Sequence, residues 1–270
     1  MKPNRIILCA DDYAISPGTS RVIADLVRGG RINAVSCMAA MPGWPADAAM
    51  LVAASAEQRG VEIGLHLTLS DETPLGPLSC LDSAGRLPDP DKLLRLCLAR
   101  KIDPAEFTEE IDRQFIAFRQ AVGRAPDFVD AHQHVHLYPI LRSLVADAVV
   151  RHAPTAWVRV PTDTLPAMLS RPFRGKALGS ALHAIGFRRL LRRKGLRFNR
   201  SFAGHYDFGT GYAGYFARFF AKPSDFHVVM CHPGAGDLAG DSIAPARQSE
   251  AIVLSHATIQ WQPFSARLAS

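Results

Sequence analysis

The chain has 270 residues, of which 48% are hydrophobic and 21% are charged, and its formal net charge is +6. This composition is that of a soluble globular protein, and no apolar run approaches the ~20 residues that a membrane span needs. The basic excess comes without a recognised nucleic-acid-binding motif, so we predict no nucleic-acid partner.

Strand-like apolar segments alternate with helical segments along most of the chain. The predicted strands cover residues 5–13, 33–41, 60–69, 126–137, 156–161 and 225–234. The predicted helices cover residues 16–30, 45–58, 104–123, 139–152 and 245–259. Repeated strand–helix units indicate a parallel sheet with helices outside it, and no linker divides the chain, so we predict a single α/β domain over residues 1–270.

Two stretches do not fit this alternation. Residues 70–104 are polar and rich in Pro, and they are too long for an ordinary connection, so we predict a lid or rim with a short helix at 91–100. Residues 165–205 have a helical but irregular pattern, which predicts a second insertion at the rim.

The cysteines and the first residues predict the cellular compartment. The five Cys are scattered and form no CxxC motif, which favours free thiols over a disulfide framework. The segment "MKPNRIILCADDY" reaches two acidic residues almost at once, which is not typical of a signal peptide. We therefore expect a cytoplasmic protein.

Much of the positive charge lies in one segment, "FRRLLRRKGLRFNR", at residues 187–200. One interpretation is a solvated helix face with Leu190 and Leu191 turned inward; the alternatives are contact with an anionic membrane or with a polyanionic substrate. We favour the solvated helix, since no face rich in Trp or Phe accompanies the charges as an interfacial helix requires.

Residues that can bind a metal or move a proton recur near the ends of separate strands. Asp11 and Asp12 end the first strand, His66 lies in the third, and His232 ends the last before a Pro–Gly turn. Each alone has an ordinary explanation, such as a helix cap or a hydrogen-bonded core histidine. Their recurrence favours a (β/α) barrel, whose strand ends meet at one mouth. A dinucleotide-binding sheet has no support, because the first strand is not followed by a GxGxxG motif.

The segment "DAHQHVHL", residues 130–137, has the densest pattern. In a strand, Asp130, His132, His134 and His136 would share one face. Adjacent members would lie ~7 Å apart and could bind one ion together, whereas His132 and His136, at ~13 Å, could not. At least one His of this row is therefore expected to contact substrate or to orient a metal ligand.

Five motifs together resemble the YdjC-like carbohydrate deacetylases, a family that includes chitooligosaccharide deacetylase and the hopanoid-associated deacetylase. These motifs are "ADDYAIS", "GLHLTL", "DAHQHVHL", "CHPG" and "RQSEAIVLSHA". The resemblance spans residues 5 to about 257. It implies a distorted TIM-like barrel and metal-dependent removal of an acetyl group from an N-acetylated sugar.

The resemblance also assigns roles to individual residues. Asp11 resembles the catalytic base, and Asp12, His66 and His132 resemble the metal ligands. His232 is expected to be the general acid, by analogy with the related NodB-type deacetylases. The residues expected to contact substrate or to orient a ligand are Asp130, His134, His136, Arg247 and Glu250.

The expected cofactor is one divalent metal ion per chain. The family resemblance implies Mg²⁺, whereas a set of two His and one Asp also suits Zn²⁺. The expected partner is an N-acetylated sugar, soluble or lipid-linked. The sequence leaves open whether the protein forms a homodimer. Two alternatives remain: another metal-dependent hydrolase on the same barrel, such as an amidohydrolase or phosphoesterase with two ions, and a non-catalytic carbohydrate-binding relative.

Overall fold

The computed structural model describes residues 5–163 and 184–256. In these residues eight β-strands form one sheet, and helices pack against its outer face. The strands are β1 (Arg5–Tyr13), β2 (Ala34–Cys37), β3 (Glu62–Leu67), β4 (Phe128–Ala131), β5 (Trp157–Val158), β6 (Arg197–Phe198), β7 (Ser201–Ala203) and β8 (Phe226–Cys231). The helices are α1 (Pro17–Arg28), α2 (Trp44–Ala56), α3 (Pro90–Leu98), α4 (Pro104–Val122), α5 (Leu141–His152), α6 (Phe187–Arg193), α7 (Tyr212–Phe219) and α8 (Ala244–His256).

The order of the strands shows how the sheet curls. The order is β6-β5-β4-β3-β2-β1-β8-β7, and every neighbouring pair is parallel. The two edge strands are consecutive in the chain, with only Asn199 and Arg200 between them. Since two residues span at most ~10 Å, the edges must lie close together. The sheet is therefore the distorted TIM-like barrel that the sequence predicts.

Strands β6 and β7 act as one bent strand, which we call the closing strand (residues 197–203). Its first half pairs with β5 and its second half pairs with β8. The bend is tied by the buried side chain of Asn199, which accepts a hydrogen bond from the backbone N of Val160 at 2.7 Å. The same amide donates to the carbonyl oxygens of Val160 at 2.9 Å and Ser201 at 3.0 Å.

The closing strand changes the interpretation of the second predicted insertion. Residues 164–183 lie outside the described residues, but residues 187–193 form α6 and residues 197–203 complete the sheet. The last part of the segment therefore belongs to the barrel, because the short strand pattern of "RFNRSFA" was too weak to separate from the basic residues around it. Helix α7 was likewise not predicted from the sequence.

The other elements agree closely with the sequence pattern. Helix α1 begins after Ser16, whose Oγ accepts a hydrogen bond from the backbone N of Thr19 at 3.1 Å. Helix α4 ends at Gly123, whose φ of 81° favours glycine. Residues 70–104, which we call the rim segment after the prediction, contain α3 but no strand. The five cysteines are unpaired.

In the described part of the chain, no helix combines the length and apolarity required to cross a membrane.

Alternate residues of the strands point into the barrel, and their character changes along its axis. A cluster of buried apolar residues fills one end: Ile7, Cys9, Ala34, Phe128, Trp157, Phe202, Val228 and Met230. Gly64 makes room there, since a Cβ at this position would lie 2.4 Å from the ring of Phe128. The other strand faces pack under the helices in a second, larger cluster. The apolar packing leaves the opposite end of the barrel for polar side chains.

Candidate active site

The polar end of the barrel follows directly from strand alternation. A step of two residues along a strand leads from each inward apolar or glycine position to a polar one. Asp11 follows Cys9 in this way on β1, Ser36 follows Ala34 on β2, and His66 follows Gly64 on β3. The same step on the remaining strands places three more polar residues on the inward face: Asp130, Arg159 and His232. Because parallel strands end at the same mouth, these side chains meet there.

The segment that follows β4 differs from the sequence prediction. Strand β4 ends at Ala131, and residues 132–137 form a 3₁₀ turn in which Gln133 has φ 54° and His134 has φ 59°. The predicted row of four side chains on one strand face is therefore wrong. Two consecutive left-handed residues reverse the chain, which polar–apolar alternation cannot reveal.

Asp12, His66 and His132 form a compact group at the mouth, and one donor atom from each lies within 4.8 Å of the other two. The Asp12 Oδ1 atom is 2.9 Å from His132 Nδ1 and 3.3 Å from His66 Nε2. Asp12 reaches this position because its φ of 62° turns it away from the regular strand. The structure thus brings together the three residues that the sequence assigned to the metal.

These donors have the chemistry and spacing of a divalent metal site. Donor atoms bound tetrahedrally at ~2.1 Å from zinc lie ~3.4 Å apart, close to the separations found here. Although burial raises the pKa of Asp12, His132 and Arg247 hold it well below its usual range, so this carboxylate is ionised. The residues present therefore fit one ion.

His66 is oriented by its neighbours. Its Nδ1 donates to Asp130 Oδ1 at 2.6 Å, and Ser36 Oγ donates to the same oxygen at 2.5 Å, so Nε2 of the imidazole faces Asp12. Burial alone would lower the pKa of His66, but the carboxylates of Asp130 and Asp12 raise it to about 10. The position of His66 Nε2 consequently favours a cation, whether a proton or a metal. Asp130 thus lies where it can orient His66, and its role stays a prediction.

Asp11, the expected base, is paired with Arg159 beside the metal group. The buried guanidinium forms a two-point ion pair with Asp11, with NH2 2.7 Å from Oδ1, and its Nε lies 2.7 Å from Asp130 Oδ2. A second group with donor atoms within 4.8 Å consists of Asp11, His66 and Asp130. Arg159 compensates both acids of this second group, which favours Asp12, His66 and His132 as the ligands.

Arg159 is not predicted from the sequence motifs, since it belongs to none of the five. One feature could have revealed it: a charged residue at an inward position of the apolar strand "AWVRVP". A buried Arg in such a strand requires an acidic partner. Ser36, on the neighbouring β2, gives no comparable pattern because serine is common in buried strands.

Two predicted residues on α8 also reach the mouth. Arg247 NH2 donates to Asp12 Oδ2 at 2.8 Å, and Arg247 Nε donates to Asp241 at 2.7 Å. Glu250 accepts hydrogen bonds from the backbone N of His232 and from Tyr206 OH. Both residues therefore position other parts of the site, and burial raises the pKa of Glu250 to about 8.

His232, the expected acid, lies immediately after β8 at the mouth. Its Nδ1 is buried and has no hydrogen-bond partner within the described residues. Burial lowers the pKa of His232 to about 4, so the ring is neutral at neutral pH. It must therefore take up a proton before it can protonate a leaving group.

The remaining two histidines of the predicted row have separate surroundings. His136 is fully buried, and its Nε2 donates to the carbonyl oxygen of Arg159 at 2.9 Å. It therefore fixes the residue that binds Asp11, and it is not among the residues that line the cavity beside Asp12. His134 instead lines the cavity. Of these two histidines, only His134 therefore lies where it could contact a substrate.

The group opens into a cavity of about 1170 Å³. Seven of the ten predicted site residues line it: Asp11, Asp12, His66, His132, His134, His232 and Arg247. Three predicted residues lie behind this lining: Asp130, His136 and Glu250. The rim segment also contributes, through Asp71, Glu72, Arg86 and Asp91.

A model of one protein family, described as YdjC-like protein, matches residues 5–262. The chain belongs to the YdjC-like family. The match includes every strand and helix of the barrel, so the family resemblance seen in the five motifs is confirmed.

Curated relatives of this YdjC-like chain have names that refer to sugar deacetylation. A carbohydrate deacetylase from Mus musculus is 29% identical over 211 residues, which cover 74% of this chain and 65% of that protein. A chitooligosaccharide deacetylase from Serratia marcescens is 32% identical over 141 residues, which cover 52% of this chain and 53% of that protein. The matches thus span less than two thirds of these relatives.

A solved structure has the same fold as this YdjC-like chain. It is the crystal structure of a protein described as a cellobiose-phosphate cleavage protein from Enterococcus faecalis V583, with a TM-score of 0.69 and 17% sequence identity. The superposition covers 94% of this chain and 91% of that one. At this identity the likeness concerns the fold alone.

Proposed function

We propose that this protein is a metal-dependent carbohydrate deacetylase, which hydrolyses the N-acetyl group of a sugar to acetate and a free amino sugar. The observation that carries the proposal is the group of Asp12, His66 and His132 beside a second buried acid, Asp11, at the mouth of a large cavity. Membership of the YdjC-like family and the names of its relatives support the substrate class.

Asp12, His66 and His132 would hold the ion, which is Mg²⁺ by family resemblance or Zn²⁺ by ligand type. Such an ion supplies Lewis-acid chemistry, which makes both an amide carbonyl and water more reactive. Asp130 and Ser36 keep His66 in the ligating orientation. Arg247 fixes the second oxygen of Asp12, leaving Oδ1 directed towards the two imidazoles.

The proton transfers fall to residues on either side of this group. Asp11 lines the cavity and is fixed by Arg159, so it is placed to take the proton of the attacking water. His232 also lines the cavity and would return a proton to the nitrogen of the leaving amino sugar. Because the ring is neutral at rest, we propose that it acquires that proton during the reaction.

The first alternative is a binuclear hydrolase, such as an amidohydrolase or phosphoesterase. It would need a second ligand group. The candidate in the described residues consists of Asp11, His66 and Asp130, and both of its acids are already paired with Arg159. The second alternative, a non-catalytic binding relative, would have lost part of the set of acids and histidines. We expect one ion per chain, a number that metal analysis of the purified protein measures directly.

The experiment that tests the proposal measures acetate release from N-acetylated sugars offered free, as oligomers and linked to lipid. We expect release from at least one of them, loss of release with a chelator, and recovery on adding Mg²⁺ or Zn²⁺. No release from any acetylated sugar by protein that carries its ion would contradict the proposal, and two ions per chain would favour the binuclear alternative.

A further inference from the structure

An aromatic group lines the cavity beside the metal-binding residues. His205 and Phe208 follow β7, and His134 belongs to the turn after β4; the three rings are half-buried and line the same cavity. The ring centroids of His134 and His205 lie 5.9 Å apart, edge to face, and Phe208 contacts the ring of His232 edge to face at 5.3 Å. We call His134, His205 and Phe208 the aromatic wall.

The backbone is strained where it presents this wall. Phe208 has φ 60° and His134 has φ 59°, conformations that bulky residues rarely adopt and that cluster at binding sites. Gly204, with φ 115°, allows the chain to leave β7, since a Cβ there would lie 2.3 Å from the carbonyl oxygen of Met230. The fold thus stabilises an unfavourable backbone conformation at two positions, and as a result the rings of His134 and Phe208 line the cavity.

His134 adds a hydrogen-bond donor to the wall. Its Nδ1 is buried and has no partner within residues 5–163 and 184–256, so Nε2 is the edge of the ring that the cavity can reach. Buried N–H groups without an acceptor are rarer than buried acceptors without a donor, which places the proton of the neutral ring on Nε2. An N–H is therefore available to a ligand at the edge of the aromatic surface.

The rim segment adds charged side chains to a lining that also contains apolar residues such as Leu238 and Ile243. Asp71, Glu72, Arg86 and Asp91 come from the rim segment and contribute charge to the same cavity. A pyranose ring has the matching two-sided chemistry: a C–H face, which aromatic rings attract through their negative faces, and a rim of hydroxyl groups. A wholly apolar or wholly polar ligand would leave one part of this lining unmatched.

We propose that the aromatic wall is the surface on which a pyranose ring of the substrate lies, with His134 Nε2 donating a hydrogen bond to a sugar oxygen. The inference rests on the proposed sugar deacetylase function and assigns the residues that recognise the sugar, as distinct from those that cleave the acetyl group.

The test measures binding of the N-acetylglucosamine dimer by calorimetry in an Asp11→Asn background, in which we expect turnover to be about 10²-fold or more slower. We expect Phe208→Leu and His134→Phe each to raise Kd about tenfold, the size of one lost hydrogen bond or ring contact. His134→Phe keeps an aromatic ring and removes both ring nitrogens, including the Nε2 donor. Phe220→Ala is the control, because Phe220 is half-buried and packs on Phe216, and it does not line the cavity.

Thermal unfolding and metal content are measured for every variant, and KM of the same variants with Asp11 intact provides a second reading. Unchanged Kd and KM in both wall variants would overturn the aromatic wall even if the unmodified protein releases acetate. Absence of any dimer binding by the folded, metal-loaded protein would overturn it too. Weakened binding in the wall variants without acetate release from any sugar would support the wall and contradict the deacetylase function.

Discussion

Asp11 and Asp12 are adjacent in the chain, yet their surroundings differ completely. Asp11 follows the strand and points into the barrel, where Arg159 pairs with it. Asp12 adopts a positive φ and turns towards two histidines. The sequence predicts different roles for two neighbours at a strand end, and the contacts give each role its own physical basis.

The first prediction concerns Asp11. An Asp11→Asn variant keeps the size of the side chain and loses the proton acceptor, so we expect turnover to fall about 10²- to 10⁴-fold, the usual contribution of a general base. Metal content should stay at the unmodified level, because Asp11 is not in the group with His132. Normal turnover, or loss of the ion, would mean that the two acids have been assigned in the wrong order.

A second prediction concerns the metal ligands. Removing one nitrogen donor, in His66→Ala or His132→Ala, should abolish bound metal and acetate release together, while circular dichroism shows a folded barrel. Elemental analysis of the purified variants measures the ion directly. Full occupancy in both variants would refute the ligand assignment.

The third prediction concerns Asp130, which lies behind the cavity lining. Asp130→Asn should weaken metal binding by about 10- to 100-fold, since residues that orient a ligating histidine have effects of this size. Ser36→Ala is the matched comparison: it removes a neutral donor to the same carboxylate oxygen and should weaken the metal less. Equal metal affinity in Asp130→Asn and the unmodified protein would show that His66 needs no orientation.

At the level of elements, the first strand, the helix caps and the apolar strands followed from sequence pattern because local residues determine them. Ser16 caps α1 and Gly123 ends α4 where the sequence indicates. The turn at 132–137 did not follow, because its shape depends on left-handed backbone at Gln133 and His134 that tertiary contacts must stabilise. One of those contacts is Gln133 Nε2 to Asp71, 62 residues away.

The site was more predictable than this turn. His132 is the first residue after β4, so its position depends on the end of the strand and not on the path beyond it. His134 and His136 lie within the turn, and their predicted shared face was lost with the strand. Arg159, Ser36 and the aromatic wall could not be assigned from motifs, since their roles arise only when strands from distant parts of the chain become neighbours.

Helix α6 carries the fourth prediction. Two of its basic residues have local partners, since Arg188 donates to the carbonyl oxygens of Thr162 and Arg200, and Arg192 lies over Phe198. Lys194, which follows the helix, pairs with Asp147. We therefore expect no binding of the unmodified protein to anionic liposomes in a flotation assay, even at low salt, in line with a solvated helix.

Clear, salt-sensitive liposome binding would contradict this expectation and favour a lipid-linked sugar as substrate. Each basic residue near an anionic surface contributes about 1 kcal/mol of attraction. Changing Arg188, Arg189, Arg192 and Arg193 to Glu would then eliminate binding, with hydrolysis of a small soluble acetylated sugar as the control for an intact site.

At the scale of the whole molecule, the barrel separates stability from chemistry along its axis. Apolar rings fill one end, and the acids, histidines and Arg159 occupy the other. The two regions share the same strands, because every second residue of a strand points inward, first in the apolar end and then in the polar end. A change at Ile7 or Val228 should therefore alter the free energy of unfolding with little effect on the donor set, whereas Cys9 of the same cluster already contacts Arg159 at 3.0 Å.

The fifth prediction concerns closure of the barrel. Asn199→Ala removes three hydrogen bonds and leaves the buried N–H of Val160 without its partner, so we expect about 3 kcal/mol less stability in urea unfolding. Arg200→Ala, one residue along, changes an exposed ion pair with Asp225 and should cost less than about 1 kcal/mol. Similar values for the two variants would show that the amide does not hold the bend.

The closing strand also determines when the protein can fold during synthesis. Strand β1 obtains its partner β8 only after residue 226 has left the ribosome, and β5 waits for residue 197. Until then the growing sheet has two open edges of buried, apolar strands, which are the surfaces most prone to aggregation. Pairing over such sequence distances also makes folding slow. We therefore expect chains that end before residue 197 to be bound by chaperones or cleaved by proteases, because they lack the strand that completes the sheet.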